Sequence, residues 1–167
     1  MSKRPKLKVA LSPIDKGMEL ISIFVLICIW IYTLLNYATL PETIPTHFNA
    51  VGEPNGFGKR SSIFILPVLS FILGVGMLYL SRYPHLYNYI QEITEENALY
   101  QYTQASRMIR ILNLVITLIF AAVIFKINQN AHGHEDGLGG WFLPMVLIVT
   151  FVPIAYYLIK SMKSSSL

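Results

Sequence analysis

Leu20-Ile21-Ser22-Ile23-Phe24-Val25-Leu26-Ile27-Cys28-Ile29-Trp30-Ile31-Tyr32-Thr33-Leu34-Leu35 carries no charge, no glycine and no proline. Wound as a helix, it offers hydrocarbon on every side, a composition suited to lipid and not to a soluble surface. With its flanks it makes a window at residues 18–38, and three further windows follow at 63–80, 108–127 and 141–159. A helix of about 20 apolar residues covers the hydrocarbon layer, so each window is long enough to span. Hydrophobic residues make up 54% of the 167 and charged residues only 13%, which excludes an ordinary soluble domain.

Lys3, Arg4, Lys6 and Lys8 precede the first window like the charged start of a signal peptide. No small-residue cleavage site follows and the apolar run is too long for one, so a retained helix is expected. In the third window Arg110 and Lys126 bracket the uncharged core, and their stems are expected to run along the helix toward the headgroups.

Lysine and arginine set the orientation. With the N-terminus inside, Lys3, Arg4, Lys6, Lys8, Lys16, Arg82, Arg107, Arg110, Lys160 and Lys163 lie inside, while Lys59, Arg60 and Lys126 lie outside. This satisfies the positive-inside rule. The expectation is a multi-pass protein of the bacterial cytoplasmic membrane with both termini cytoplasmic. The net charge of +4 is then a topological signal, with the lipid bilayer as partner and no nucleic acid. Cys28 is alone and cannot form an internal disulfide or a redox pair.

The connection from Ser81 to Arg107 is too long for a turn. Leu86, Ile90 and Ile93, then Ala98, Tyr102, Ala105 and Ile109, recur at three- and four-residue spacing, which predicts an amphipathic cytoplasmic helix continuous with the third span. Glu92, Glu95 and Glu96 would form its polar side, either solvated or docking a partner. Gly74, Gly76, Pro67, Pro144 and Pro153 predict close or bent packing of the second and fourth spans, with a hinge or cavity as the alternative.

The loop at 40–60 departs from this apolar character. Leu40-Pro41 and Ile44-Pro45 push the chain into extended geometry, with His47 and Asn49 on one face and Phe48 on the other. Val51-Gly52-Glu53-Pro54-Asn55-Gly56 has the residues of two successive turns, Asn55-Gly56 taking positive φ cheaply. A hairpin-like cap is expected, with Phe48 and Phe57 as anchors, Glu53 and Lys59 facing water, and strained backbone at Gly56 and Gly58.

Leu40-Pro41, Ile44-Pro45, His47-Phe48-Asn49, Gly52, Pro54 and Gly56-Phe57-Gly58-Lys59 resemble the signature of the bacterial domain of unknown function 1648. That domain occurs in SdpI-type membrane proteins, and the resemblance implies immunity to a secreted peptide toxin and retention of a cytoplasmic repressor at the membrane. The chain departs from the family pattern at Asn55, where aspartate is frequent, and at Phe57, where tryptophan is. It also lacks the further membrane region of the longer SdpI-type proteins.

His47, with His132, His134, Glu135 and Asp136, offers imidazole and carboxylate groups of the kind that bind zinc. Structural hydrogen bonding by His47 is preferred, because His132 to Gly140 reads as a flexible solvated loop. No metal and no cofactor are expected. No paired nucleophile, Walker pattern or HExxH occurs, so no enzyme is expected.

These readings give an all-α integral membrane protein: a four-transmembrane-helix bundle, one domain over 1–167, with a structured extracytoplasmic loop between helices 1 and 2. Its expected function is non-enzymatic sensing or immunity. His47, Phe48, Asn49, Gly52, Glu53, Asn55, Gly56, Gly58 and Lys59 would bind an extracytoplasmic peptide or structure the cap, and a membrane or cytoplasmic protein would be the partner. The alternatives are an accessory or structural subunit of a larger membrane complex and a small transporter.

Overall fold

A computed structural model describes residues 4–134 and 137–163. Four long helices dominate it: α1 (Pro13–Asn36), α2 (Ile65–Leu80), α3 (Ala98–Ala131) and α4 (Phe142–Lys163). Between α1 and α2 stand two strands, β1 (Thr43–Phe48) and β2 (Pro54–Lys59), paired antiparallel. Each helical region is long and apolar enough to cross a membrane, which makes this a multi-pass membrane protein.

α1 starts before the expected window because its first turn caps itself. The Ser12 hydroxyl accepts from Asp15 N–H at 3.2 Å, and the Asp15 carboxylate accepts from Ser12 N–H at 3.0 Å. This reciprocal box, with Pro13 at the first helical position, satisfies amide groups that would otherwise be orphaned. Farther along, the Ser22 and Thr33 hydroxyls donate to the carbonyls one turn back, which lets them sit in an apolar seam.

α3 packs against α1, α2 and α4 and organises the bundle. At about 1.5 Å per residue its 34 residues extend about 51 Å, well beyond a hydrocarbon layer of about 30 Å. The third window, 108–127, is therefore the middle of a longer rod. α1 approaches α2 at Gly74, where an added Cβ would meet Leu26 Cδ1 at 2.8 Å, a contact the flexible leucine end could yield to.

The amphipathic helix expected before α3 is corrected. A short 3₁₀ turn (Pro84–Leu86) is followed by irregular chain to Asn97, and only the part from Ala98 is helical. Polar anchors here outweigh the periodicity. Arg4 donates to the Tyr87 carbonyl at 2.6 Å, Tyr89 Oη donates to the Pro84 carbonyl at 2.9 Å, and Asn97 Nδ2 donates to the Glu92 carbonyl at 3.0 Å. Glu92, Glu95 and Glu96 are exposed, as expected of a solvated side.

The core at the hairpin end joins Ile29 of α1, Leu40, Ile44 of β1, Ile63, and Ile124 and Ile127 of α3. Because β1 contributes to this cluster, the hairpin is packed onto the helices and not suspended above them.

Candidate functional site

The hairpin turn is built around Asn49. Its Oδ1 accepts from Val51 N–H at 3.1 Å and Glu53 N–H at 2.9 Å, while its Nδ2 donates to Glu53 Oε2 at 3.0 Å. Asn49 N–H also donates to the Glu53 carbonyl at 2.9 Å. One side chain thus closes the turn and fixes the direction of a carboxylate.

Only this one turn forms, correcting the expectation of two. Asn55 and Gly56 lie inside β2 without positive φ, because pairing with β1 holds them extended. Gly56 and Gly58 are required for close approach and not for backbone strain. An added Cβ would come within 2.9 Å of His47 Cβ at Gly56 and 3.0 Å of Thr46 Cγ2 at Gly58.

The left-handed conformation falls instead at Gly52, with φ +85°. A Cβ there would lie 2.6 Å from the backbone N and O of Gly139.

His47 is paired with a side chain: its Nδ1 lies 2.5 Å from Asn55 Oδ1. Asn55 is therefore the direct partner of His47.

Phe48 is inserted as expected, half-buried against the Ile29–Ile44 cluster. Phe57 is not an anchor. It is 62% exposed, on the rim between β2 and the end of α3. Glu53 and Lys59 face solvent as expected.

The chain from His132 to Gly140, expected to be flexible and solvated, is docked where it is described. Leu138 N–H donates to the Gly52 carbonyl at 2.7 Å, and Leu138 itself is buried. Asn130 folds back on this loop, its Oδ1 accepting from Gly137 N–H at 2.5 Å. Glycines at 137 and 139, with φ of +99° and +83°, allow the loop to lie directly on the hairpin turn.

His132 lies with Nδ1 2.8 Å from the Asn128 carbonyl oxygen and Nε2 3.2 Å from that of Thr39, stacks on His134, and forms no metal-ligating group with His47. Among the described residues no group of three metal-ligating side chains occurs; Glu135 and Asp136 lie outside them.

Two hollows flank the hairpin. One, of about 290 Å³, lies over the helix ends and is lined by Ile44, His47, Phe48, Ile63, Val123 and Leu138 among others. The second, of about 410 Å³, runs between β2 and the end of α3, bounded by Pro45, Glu53, Pro54, Phe57, Asn130 and Ala131 among others.

The opposite end of the bundle holds a charge network that sequence reading missed. Arg110, expected to extend toward headgroups, is 2% exposed, and its Nε donates to Glu19 Oε1 at 2.8 Å. Arg82 donates to Glu19 Oε2 at 2.6 Å, and Arg107 donates to Asp15 Oδ1 at 3.0 Å. An inward carboxylate is what turns Arg110 away from the lipid. The signal was available in the four-residue spacing of Asp15 and Glu19 and the three-residue spacing of Arg107 and Arg110, each of which puts two charges on one helix face.

One turn along from Arg110, Asn113 is buried with both amide atoms lacking a hydrogen-bond partner. Nearby, in the connection outside the spans, burial pushes the Tyr87 phenol up to about 12 and raises that of Tyr89 further.

Four spanning helices with a β-hairpin docked between the first two define a multi-pass membrane protein whose polar architecture is gathered at its two ends. Residues 24–71, from mid-α1 through the hairpin into α2, match the family described as Domain of unknown function (DUF1648). The matched stretch contains the motif-bearing segment at 40–60. The chain is also 27% identical to an uncharacterized protein of Archaeoglobus fulgidus, over 94% of this chain and 93% of that protein. No solved structure matches the chain.

Proposed function

We propose that this is a non-enzymatic protein of the sensing or immunity class, whose hairpin contacts an extracytoplasmic ligand or peptide. The carrying observation is the convergence of the motif residues Ile44, His47 and Phe48 with α2 and α3 on the 290 Å³ hollow. Those residues do more than cap the bundle, since they line an open, mostly apolar recess beside His47. In this reading the chain lies in the cytoplasmic membrane with both termini inside, as its lysines and arginines favour. α3 then runs from the ligand end to the charge network, which is the route for relaying occupancy to a cytoplasmic partner. Immunity to a peptide, as the SdpI-type resemblance implies, is the form of this function we favour.

A second reading, an accessory subunit of a larger membrane complex, draws on α4. Only 6% of its apolar window is buried, so most of its surface is left for lipid or another helix. A photo-reactive residue at position 47, activated in intact cells, separates the two. The first reading expects an adduct with a secreted peptide. A stoichiometric membrane protein recovered with α4, and no peptide adduct, would replace it with the second.

A further inference from the structure

We propose that the groove between β2 and the end of α3 binds a basic side chain, lysine or arginine, of an extracytoplasmic peptide. The inference rests on the reading just given and names the chemistry of its ligand.

Three features of the groove favour a cation. Glu53 lines it, and this carboxylate has no ion-pair partner among the described residues. Asn49 Nδ2 holds Oε2 at 3.0 Å, so the carboxylate is oriented in advance while Oε1 stays available. Opposite it, Asn130 and Ala131 bring the C-terminal end of α3, where the peptide dipoles of a 34-residue helix place partial negative charge. Phe57 supplies an exposed aromatic ring, whose face attracts cations.

The remaining walls decide which cation. Pro45, Pro54 and Ala131 are apolar, matching the aliphatic stem that lysine and arginine carry behind their charge. A single carboxylate without further acidic or imidazole ligands does not form a cage for a metal ion. An ethanolamine headgroup would bring its phosphate toward Glu53, and no basic side chain lines the groove to neutralise it. A peptide side chain brings the cation without the anion.

The test uses the full chain in phosphatidylcholine nanodiscs and a fluorescent Gly-Lys-Leu-Lys-Gly peptide, with its glutamate counterpart as control. The lysine peptide should bind and the glutamate peptide should not. Glu53→Gln should weaken binding about tenfold while the hairpin stays folded, because the substituted amide oxygen still accepts from Asn49. Phe57→Ala should weaken it about threefold, and Lys16→Gln, exposed at the opposite end of the bundle, should leave it unchanged. Binding by Glu53→Gln within about twofold of wild type, at equal melting temperature, overturns the proposal, as does equal binding by empty discs. Occupancy that requires phosphatidylethanolamine in the discs would assign the groove to lipid. Either failure leaves the sensing reading standing so long as position 47 still captures a peptide in cells.

Discussion

Leu138 and Gly52 are joined backbone to backbone: the Leu138 N–H donates to the Gly52 carbonyl oxygen at 2.7 Å, tying the connection after α3 to the turn of the hairpin. The two loops, distant in sequence, form one structure at this end of the bundle. Its stability depends on glycine, since Gly52 has φ +85° and faces the Gly139 backbone.

Gly52→Ala should therefore cost about 2 kcal/mol or more, combining left-handed strain with a backbone clash. The melting temperature in detergent should fall by about 4–8 °C. Gly76→Ala is the control, because nothing lies within 4 Å of a Cβ there and helix propensity improves. Equal melting temperatures in the two variants would show that the loops are not joined in this way.

The charge network should show a ranking. Arg110→Leu strands Glu19 against a half-exposed partner and should cost about 3–5 kcal/mol, as for other broken buried pairs. Arg82→Leu should cost no more than about 1 kcal/mol, because its side chain is 51% exposed. Pairing Arg110→Leu with Glu19→Gln should recover part of the loss, and thermal unfolding of all three variants measures it.

Asn113→Leu should raise the melting temperature, by about 2–4 °C. Its buried amide has no hydrogen-bond partner, so an apolar side chain of similar size removes a desolvation penalty without removing a bond. A fall of that size instead would mean that the amide is bonded in the membrane.

Alkaline pH should destabilise the fold through the tyrosine connection. The Tyr87 phenol is raised to about 12, with burial as the main cause, so the folded state favours its protonated form. A group raised in the folded state contributes stability that is complete below its unfolded value, about 10, and is lost as pH climbs toward the folded one. Melting temperature should thus hold from pH 8 to about 9.5 and fall toward pH 12, and Tyr87→Phe should flatten part of that fall.

Orientation is open to direct labelling. In a Cys28→Ala background, Val51→Cys should react with a membrane-impermeant thiol reagent in intact cells, since Val51 is 57% exposed at the hairpin turn. Lys6→Cys should stay protected until the cells are opened. The reverse pattern would invert the protein in the membrane.

The helices were legible in the sequence because lipid imposes a simple rule: the runs at 18–38, 63–80, 108–127 and 141–159 each lie largely within an observed helix. The hairpin was legible from Ile44-Pro45 and the asparagine-glycine turn residues, though the turn settled on Asn49 and Gly52 and not on Asn55-Gly56. Three features were not. The periodicity of residues 86–97 suggested a helix, but Arg4 and Asn97 supply hydrogen bonds that a local pattern does not contain. The docking of Leu138 joins distant segments through their backbones, and the glycines it needs at 52, 137 and 139 read locally as ordinary loop residues. Arg110 could be read as extending outward because a single span does not reveal that Glu19, on another helix, waits at the same depth.

The joint between the two loops is largely main chain: the Leu138 N–H meets the Gly52 carbonyl, and the Asn130 side chain holds Gly137 beside it. The side chains of His47, Glu53, Asn55 and Phe57 take no part in the backbone bond itself. The seating of the hairpin thereby rests on glycine backbone, apart from the side chains that its surface displays.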